Sequence, residues 1–281
     1  MRRADILATA LVLMAGANLL PPPLAAAGGQ LAARYSMGDG FDLNAVLMFG
    51  SDGRYAFHWH GCTGTIAESS GHYMAEDRAV SLRPDSTTFR RDPRTFTDAM
   101  RRITWGEREY LIAEERMLAF VNAVNSGKEP RGARFGLFYL REGDDRKPAL
   151  GLPAVGVEWT QFILRQPLTG SVLRVEQRET SNQRPIAVID AGASAGLKAG
   201  MILYASNPRR PHFYADLTIV QVEETQARVR VPFQYNHIRV CDVWHSRRGA
   251  AQPDADERRV AACLRAAQPV SLGRAHRSKR R

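Results

Sequence analysis

The sequence predicts a mainly β, β-rich α+β protein. It would form an antiparallel, barrel-like meander with one or two helices, followed by a small antiparallel β-barrel. Three observations predict this. Short runs that alternate apolar and polar residues, rich in Val, Ile, Tyr and Phe, recur along the chain. Glycine-containing turns separate them, with Asp52-Gly53 the clearest hairpin signal because its backbone favours positive φ. The clearest helical spacing falls in one stretch, "EERMLAFVNAVNSG". A chain of 281 residues exceeds the usual size of one domain, so two domains are expected.

The first residues read as an export signal. Met1-Arg2-Arg3 is a positive n-region, "ILATALVLMAGANLL" an apolar core, and Ala25 and Ala27 supply the small residues of a cleavage site. A signal peptide over 1–27 is therefore expected, with cleavage after Ala27. The apolar run is shorter than the roughly 20 residues that span a bilayer, and no later segment is apolar enough to do so. The mature chain is expected in the periplasm or outside the cell, with no transmembrane segment.

The first domain is placed at 34–166. "NAVLMF" and "RYAFHWH" flank "GSDG" as a hairpin, with Tyr55, Phe57 and Trp59 on one face and His58 and His60 on the other. "HYMAEDRAVSLRP" adds short strands around "EDR", and "ITW" and "EYLI" form a pair about Gly106. Met117, Leu118, Phe120, Val121 and Val124 then recur at helical spacing, with Glu114 and Glu115 in the first turn and Gly127 at the end. Asn122 and Asn125 need no role there beyond capping and solvation. "RFGLFYLR" returns as a strand, and a short helix is expected from about Val155 to Leu164, with the domain boundary near Pro167.

The second domain is placed at 168–247. "GSVLRVEQ", "IAVID" and "MILYA" read as strands. "FYADLTIVQVEETQARVRVPF" reads as a hairpin about "EETQ", with Val220, Val222, Val229 and Val231 packed at alternate positions. "HIRVCDVWHSR" closes the set. Five or six short strands with glycine turns suit a small barrel. Residues 248–281 read as a basic, flexible tail. Of three cysteines, Cys241 and Cys263 are the favoured pair, with pairings to Cys62 left open.

Two motifs look chemical. His58, His60 and Cys62 alternate as three ligands on one strand face would, and His72 could approach from the next strand; imidazole with thiolate suits zinc or copper. Gly61 interrupts the alternation, and histidines on the outer face of a meander are normally solvated, so no metal is assigned. "GASAG", Gly192 to Gly196, matches the G-x-S-x-G nucleophile elbow, with Ser194 as nucleophile, His60-Gly61 as an oxyanion loop, and His212, His237 and His245 as partners. An elbow serine must lead at once into a helix, whereas "AGLKAGMILYA" reads as turn and strand. No catalytic residue and no cofactor are assigned. The element after Gly196 is decisive: a helix favours a hydrolase, a strand favours a barrel.

"AVIDAGASAGLKAGMILYA", with "LTIVQVEETQARVRV" and "IRVCDVW", resembles the small β-barrel modules of exported cell-shape and flagellar scaffold proteins. Asp190, Gly192, Gly196, Leu197, Gly200 and Met201 fit that pattern, and Cys241 stands where those modules carry a glycine before Asp242. "ASAGLKAGM" is also similar to the A-G-L-x-x-G-D turn of PDZ domains, with Met201 in place of the aspartate. The DGRY, GCTG and VSL spacing of the N-terminal part resembles lipocalin-like meanders of exported bacterial proteins. These resemblances imply export and β architecture and carry no catalytic residue across.

The formal net charge is +10, and an exported protein seldom meets nucleic acid, so an anionic envelope component or another envelope protein is the expected counterpart. The expectation is an exported, non-enzymatic binding or envelope-assembly protein. The alternatives are a periplasmic serine hydrolase using Ser194 and a metal-binding protein using His58, His60 and Cys62.

Overall fold

Gly53 turns the chain with φ +77°, and Gly50 N donates to Arg54 O across the loop at 2.8 Å, so β2 (Asn44–Phe49) folds directly onto β3 (Arg54–Gly61). The computed structural model describes residues 31–38, 44–62, 64–89, 97–127, 130, 138–176, 184–210, 213–232, 238–247 and 253–266. The expected signal peptide lies outside them, as do His212, His237 and the last fifteen residues of the chain.

The hairpin belongs to a closed antiparallel barrel of eight strands in sequence order. The others are β1 (Ala33–Met37), β4 (Gly64–Ala75), β5 (Ala79–Phe89), β6 (Ala99–Trp105), β7 (Arg108–Ala113) and β8 (Phe138–Arg141). β1 pairs with β8 to close it, Tyr35 opposite Arg141. The "EDR" turn joins two long strands rather than the short ones expected. Alternation sends Tyr35, Leu47, Tyr55, Phe57, Trp59 and Leu111 into the barrel, as the sequence predicts for β3.

β7 departs from simple alternation: Tyr110, Leu111, Ile112 and Ala113 are all buried, as in a strand covered on both faces. The cover is α1 (Met117–Asn125), which comes after a 3₁₀ turn over Glu114–Arg116. Met117, Phe120 and Val121 pack with Ile103, Tyr110, Ile112, Phe138 and Leu140 on the barrel's outside. Truncating a buried aromatic such as Phe120 to Ala typically costs about 3–5 kcal/mol, so this layer is as much a core as the barrel interior. The second helix, α2 (Val157–Thr160), is a single turn, shorter than expected.

The chain then forms a second closed antiparallel barrel from β9 (Thr169–Glu176), β10 (Ile186–Ile189), β11 (Ile202–Ser206), β12 (Tyr214–Val222), β13 (Ala227–Arg230) and β14 (Val243–His245). Its strand order is β10-β13-β12-β11-β14-β9. Val172, Ile189, Leu203, Leu217, Val229 and Trp244 fill it. Val220 is not among the inward positions: Ala215, Leu217 and Ile219 point in, the register shifts between Ile219 and Gln221, and Val222 returns to the core side. Gly170 sits opposite Trp244, and a Cβ there would lie 2.1 Å from Asp190 Oδ1. That carboxylate oxygen accepts from Trp244 Nε1 at 3.0 Å and from Ser171 N at 2.7 Å, so the missing side chain makes room for a part-buried pair of bonds.

Cys241 and Cys263 form the favoured disulfide. Cys241 has φ +70°, the left-handed conformation normally left to glycine, and Asp242 N donates to Arg239 O at 3.1 Å. The closing turn therefore forms with cysteine in a conformation that glycine normally takes. Of the segment read as a flexible tail, residues 253–266 instead form a helix, α3 (Pro253–Ala266), which packs against β14 and β9 with Val260 buried.

The two barrels meet through α1. Asn122 Nδ2 donates to Gly200 O at 3.1 Å, and its Oδ1 accepts from Ile202 N at 3.0 Å. Asn125 Nδ2 donates to Phe162 O at 2.9 Å, and its Oδ1 accepts from Leu164 N at 2.9 Å. Both side chains are buried, which corrects the expectation of mere capping and solvation. Each amide gives one donor and one acceptor to a backbone stretch of the facing element. Asn122→Ala removes the partner of two part-buried backbone groups and is expected to cost about 1–3 kcal/mol in urea unfolding, against under about 0.5 kcal/mol for exposed Asp216→Ala. Equal midpoints for the two variants would count against the clamp.

Candidate functional site

Ser194 sits in a 3₁₀ turn, Ala193–Ala195, between β10 and β11. Its hydroxyl donates to Glu224 O at 2.8 Å, and its own N–H reaches the same carbonyl at 2.9 Å. Ala193 N donates to Glu223 O at 2.8 Å, so this turn is fastened to the "EETQ" turn of the neighbouring hairpin. The two glycines of the motif have structural reasons. A Cβ on Gly192 would lie 2.2 Å from Glu223 O, and Gly196 has φ +83°. The next element is a strand, as the barrel reading requires, and no helix N-terminus stands behind the serine. His245, the one described histidine of those offered as triad partners, faces Asp256 Oδ2 at 3.2 Å.

His58 and His60 lie on the barrel's outer face, opposite buried Tyr55, Phe57 and Trp59. Their rings stack, 6.2 Å between centroids. His58 Nδ1 is 3.5 Å from Glu68 Oε1, and His60 Nδ1 is 3.4 Å from Thr65 Oγ1. The register shifts between Trp59 and His60, ahead of Gly61, and Cys62 lies exposed beyond the strand end. His72 does not approach them: it stands opposite Arg54, whereas His58 stands opposite Glu68. Among the described residues no three His, Cys, Asp or Glu side chains are grouped closely enough to hold a metal ion.

Inside the first barrel, Tyr35 donates its hydroxyl to Glu109, whose carboxylate also meets Arg102 at 3.2 Å and Arg141 at 3.8 Å. Burial, and then the Glu109 carboxylate, push the Tyr35 hydroxyl well above its ordinary pKa, so it serves as a donor. Asp144 Oδ2 accepts from Glu109 N at 2.8 Å. Lys147 Nζ in turn meets Asp144 Oδ1 at 2.6 Å, so carboxylates and cations alternate through this cluster.

A cleft of about 360 Å³ lies on the first barrel's flank. β5 and β6 pair from Ala79–Ser81 to Ala99–Arg101, and Val80, Met100, Ile103 and Val155 line the space with Arg78 and Arg101. The segment that walls it is pinned along β6 by Ala154 N to Thr104 O at 2.8 Å and Trp105 Nε1 to Gly151 O at 2.9 Å. This segment leaves Leu150, Leu152 and Val157 at 65, 54 and 87 % exposure. Arg101 bonds both Glu114 and Glu158; burial opposes its charge, but the two carboxylates outweigh that and hold it charged. Sequence reasoning missed this site. Its signal was "ALGLPAVGV", an apolar run with neither period that belongs to no strand or long helix. Comparison with protein families, curated proteins and solved structures finds no match.

Two outcomes are expected. A fluorophosphonate probe should leave the protein unlabelled, and stoichiometric labelling at Ser194, abolished by Ser194→Ala, would restore the hydrolase reading. In thermal melts, Phe57→Ala should cost about 3–5 kcal/mol and His58→Gln under about 0.5 kcal/mol, with no effect of chelator on the wild type. A chelator-dependent drop in Tm that vanishes in His58→Gln would instead reveal a metal site.

Proposed function

We propose that this chain is an exported, non-catalytic binding protein that docks an apolar segment of another envelope protein in the cleft beside β6. The observation that carries this reading is the concentration of Leu150, Leu152 and Val157, all exposed, along a pinned segment that walls the cleft. Exposed large apolar side chains gathered on one segment beside a cleft favour an interaction surface.

Charge favours a protein partner over an anionic polymer or lipid. Around the cleft the cations are already matched: Arg101 with Glu114 and Glu158, Arg102 with Glu109, and Lys147 with Asp144. The basic excess lies elsewhere, since residues 273–281 carry five Lys and Arg and no acidic residue, half of the formal net charge. The Cys241–Cys263 disulfide supports an oxidising compartment and hence export. The fastening of the Ser194 turn to Glu223 and Glu224 supports a non-catalytic reading.

A photo-crosslinking residue at Val157, activated in intact cells, should capture a protein whose yield falls roughly tenfold when Leu152→Asp is added, equivalent to about 1.4 kcal/mol. The same residue at exposed Asp216 on β12 should capture little of it, and N-terminal sequencing of the crosslinked protein itself should begin near Gly28. Adducts only with lipid or polysaccharide, or equal capture from both positions, would overturn the proposal. An intact Met1 would overturn the export.

A further inference from the structure

The helix α3 lies antiparallel to β14 and is tied to it at two points. Cys263, near the helix C-terminus, is bonded to Cys241 just before β14. Asp256, in the first turns, meets His245 at the strand's end, Oδ2 to Nε2 at 3.2 Å. The spans match: seven residues of helix cover about 10 Å and four residues of strand about 13 Å. Between the ties, Val243 and Val260 are buried, and alternation puts Val243 and His245 on the face of β14 opposite core-facing Trp244.

We propose that α3 is a redox-controlled, acid-tuned latch that covers the outer face of the second barrel at β14 and opens as a unit when the disulfide is reduced. The reductant is a dithiol. Its thiolate attacks one sulfur of the pair, and the S–S bond breaks. The mixed disulfide is then resolved as the reductant closes to its own disulfide, and Cys241 and Cys263 take up two electrons and two protons as thiols. The His245–Asp256 contact and the buried Val243 and Val260 then hold α3 without a covalent tie, beside a turn residue whose left-handed φ is unfavourable for any side chain.

That remaining tie responds to acid. The groups facing His245 are Asp256 and Arg259 from α3 and Tyr204, its cross-strand neighbour on β11. Burial lowers the His245 pKa below its ordinary value, and Asp256 only partly offsets this. An undocked His245 regains an ordinary pKa near 6.5, so docking is fully favoured above about pH 6.5 and weakens as pH falls below it.

The test is hydrogen–deuterium exchange on the whole protein at about pH 8 and about pH 5, oxidised and reduced with a dithiol, corrected for intrinsic exchange rates. The oxidised protein should protect α3 equally at both pH values. After reduction, α3 amides should exchange about tenfold faster or more at the lower pH while β10 and β13 keep their protection. In reduced His245→Asn the pH step should vanish. Because a folding defect could mimic opening, the double variant Cys241→Gly, Cys263→Ser supplies a turn residue suited to φ +70°, and should behave as the reduced protein without any reductant. The latch is overturned if α3 stays as protected in the reduced protein as in the oxidised one. It is equally overturned if α3 and the barrel strands lose protection together, or if the pH step survives in His245→Asn.

Discussion

A helix buried between two sheets meets backbone groups that neither sheet can satisfy, and in this molecule two side-chain amides meet that demand. Asn122 gives its donor and acceptor to the start of β11, and Asn125 gives the same pair to the turn after α2. Each replaces the partners that water would otherwise supply to these part-buried groups, which would be costly to leave unpaired. The placement of the second barrel against the first, and of the segment that leads from β6 past the cleft to β9, depends on these four bonds. The apolar layer of Met117, Phe120 and Val121 supplies the bulk of the attraction; the asparagines supply the register.

The second barrel shows the same economy of polar groups. Asp190 binds the indole N–H of Trp244 where Gly170 leaves room, and Asp242 accepts from Arg239 N at 2.7 Å and Asn207 Nδ2 at 2.6 Å at the closing turn. The glycines of "GASAG" belong to this pattern. They let two turns touch, and a motif that suggests nucleophilic chemistry on paper is accounted for by backbone contact.

Much of the architecture was legible because it rests on local patterns. Alternation in "RYAFHWH", the Asp52-Gly53 turn and the glycine-bounded strands after Pro167 each specify a strand and its buried face without reference to distant residues. The positions misread were those decided by something non-local. Val220 alternates correctly in sequence, yet a bulge opposite β13 shifts it. Asn122 and Asn125 fall at helical spacing beside apolar residues, a pattern that in isolation fits a solvated edge as well as a buried clamp. The helix after Pro253 has a weakly apolar sequence whose docking depends on a cysteine 22 residues away. The cleft was invisible for a related reason: the paired stretch of β5 and β6 lines it together with Ala154, Val155 and Gly156, which are distant in sequence, and no single segment records that.

Closure of the first barrel joins its first strand to its last. Tyr35 bonds Glu109, 74 residues further along, and β1 pairs with β8 only after α1 and its flanking loops have been made. Contacts of such long separation are reached late, because chain entropy must be lost before they return any energy. During synthesis β1 emerges first and keeps one edge bare until β8 arrives, and a bare strand edge is the surface on which aggregation begins. In this topology the β1–β8 seam, and not any hairpin within the meander, carries the longest sequence separation and the largest loop-closure cost of the first barrel.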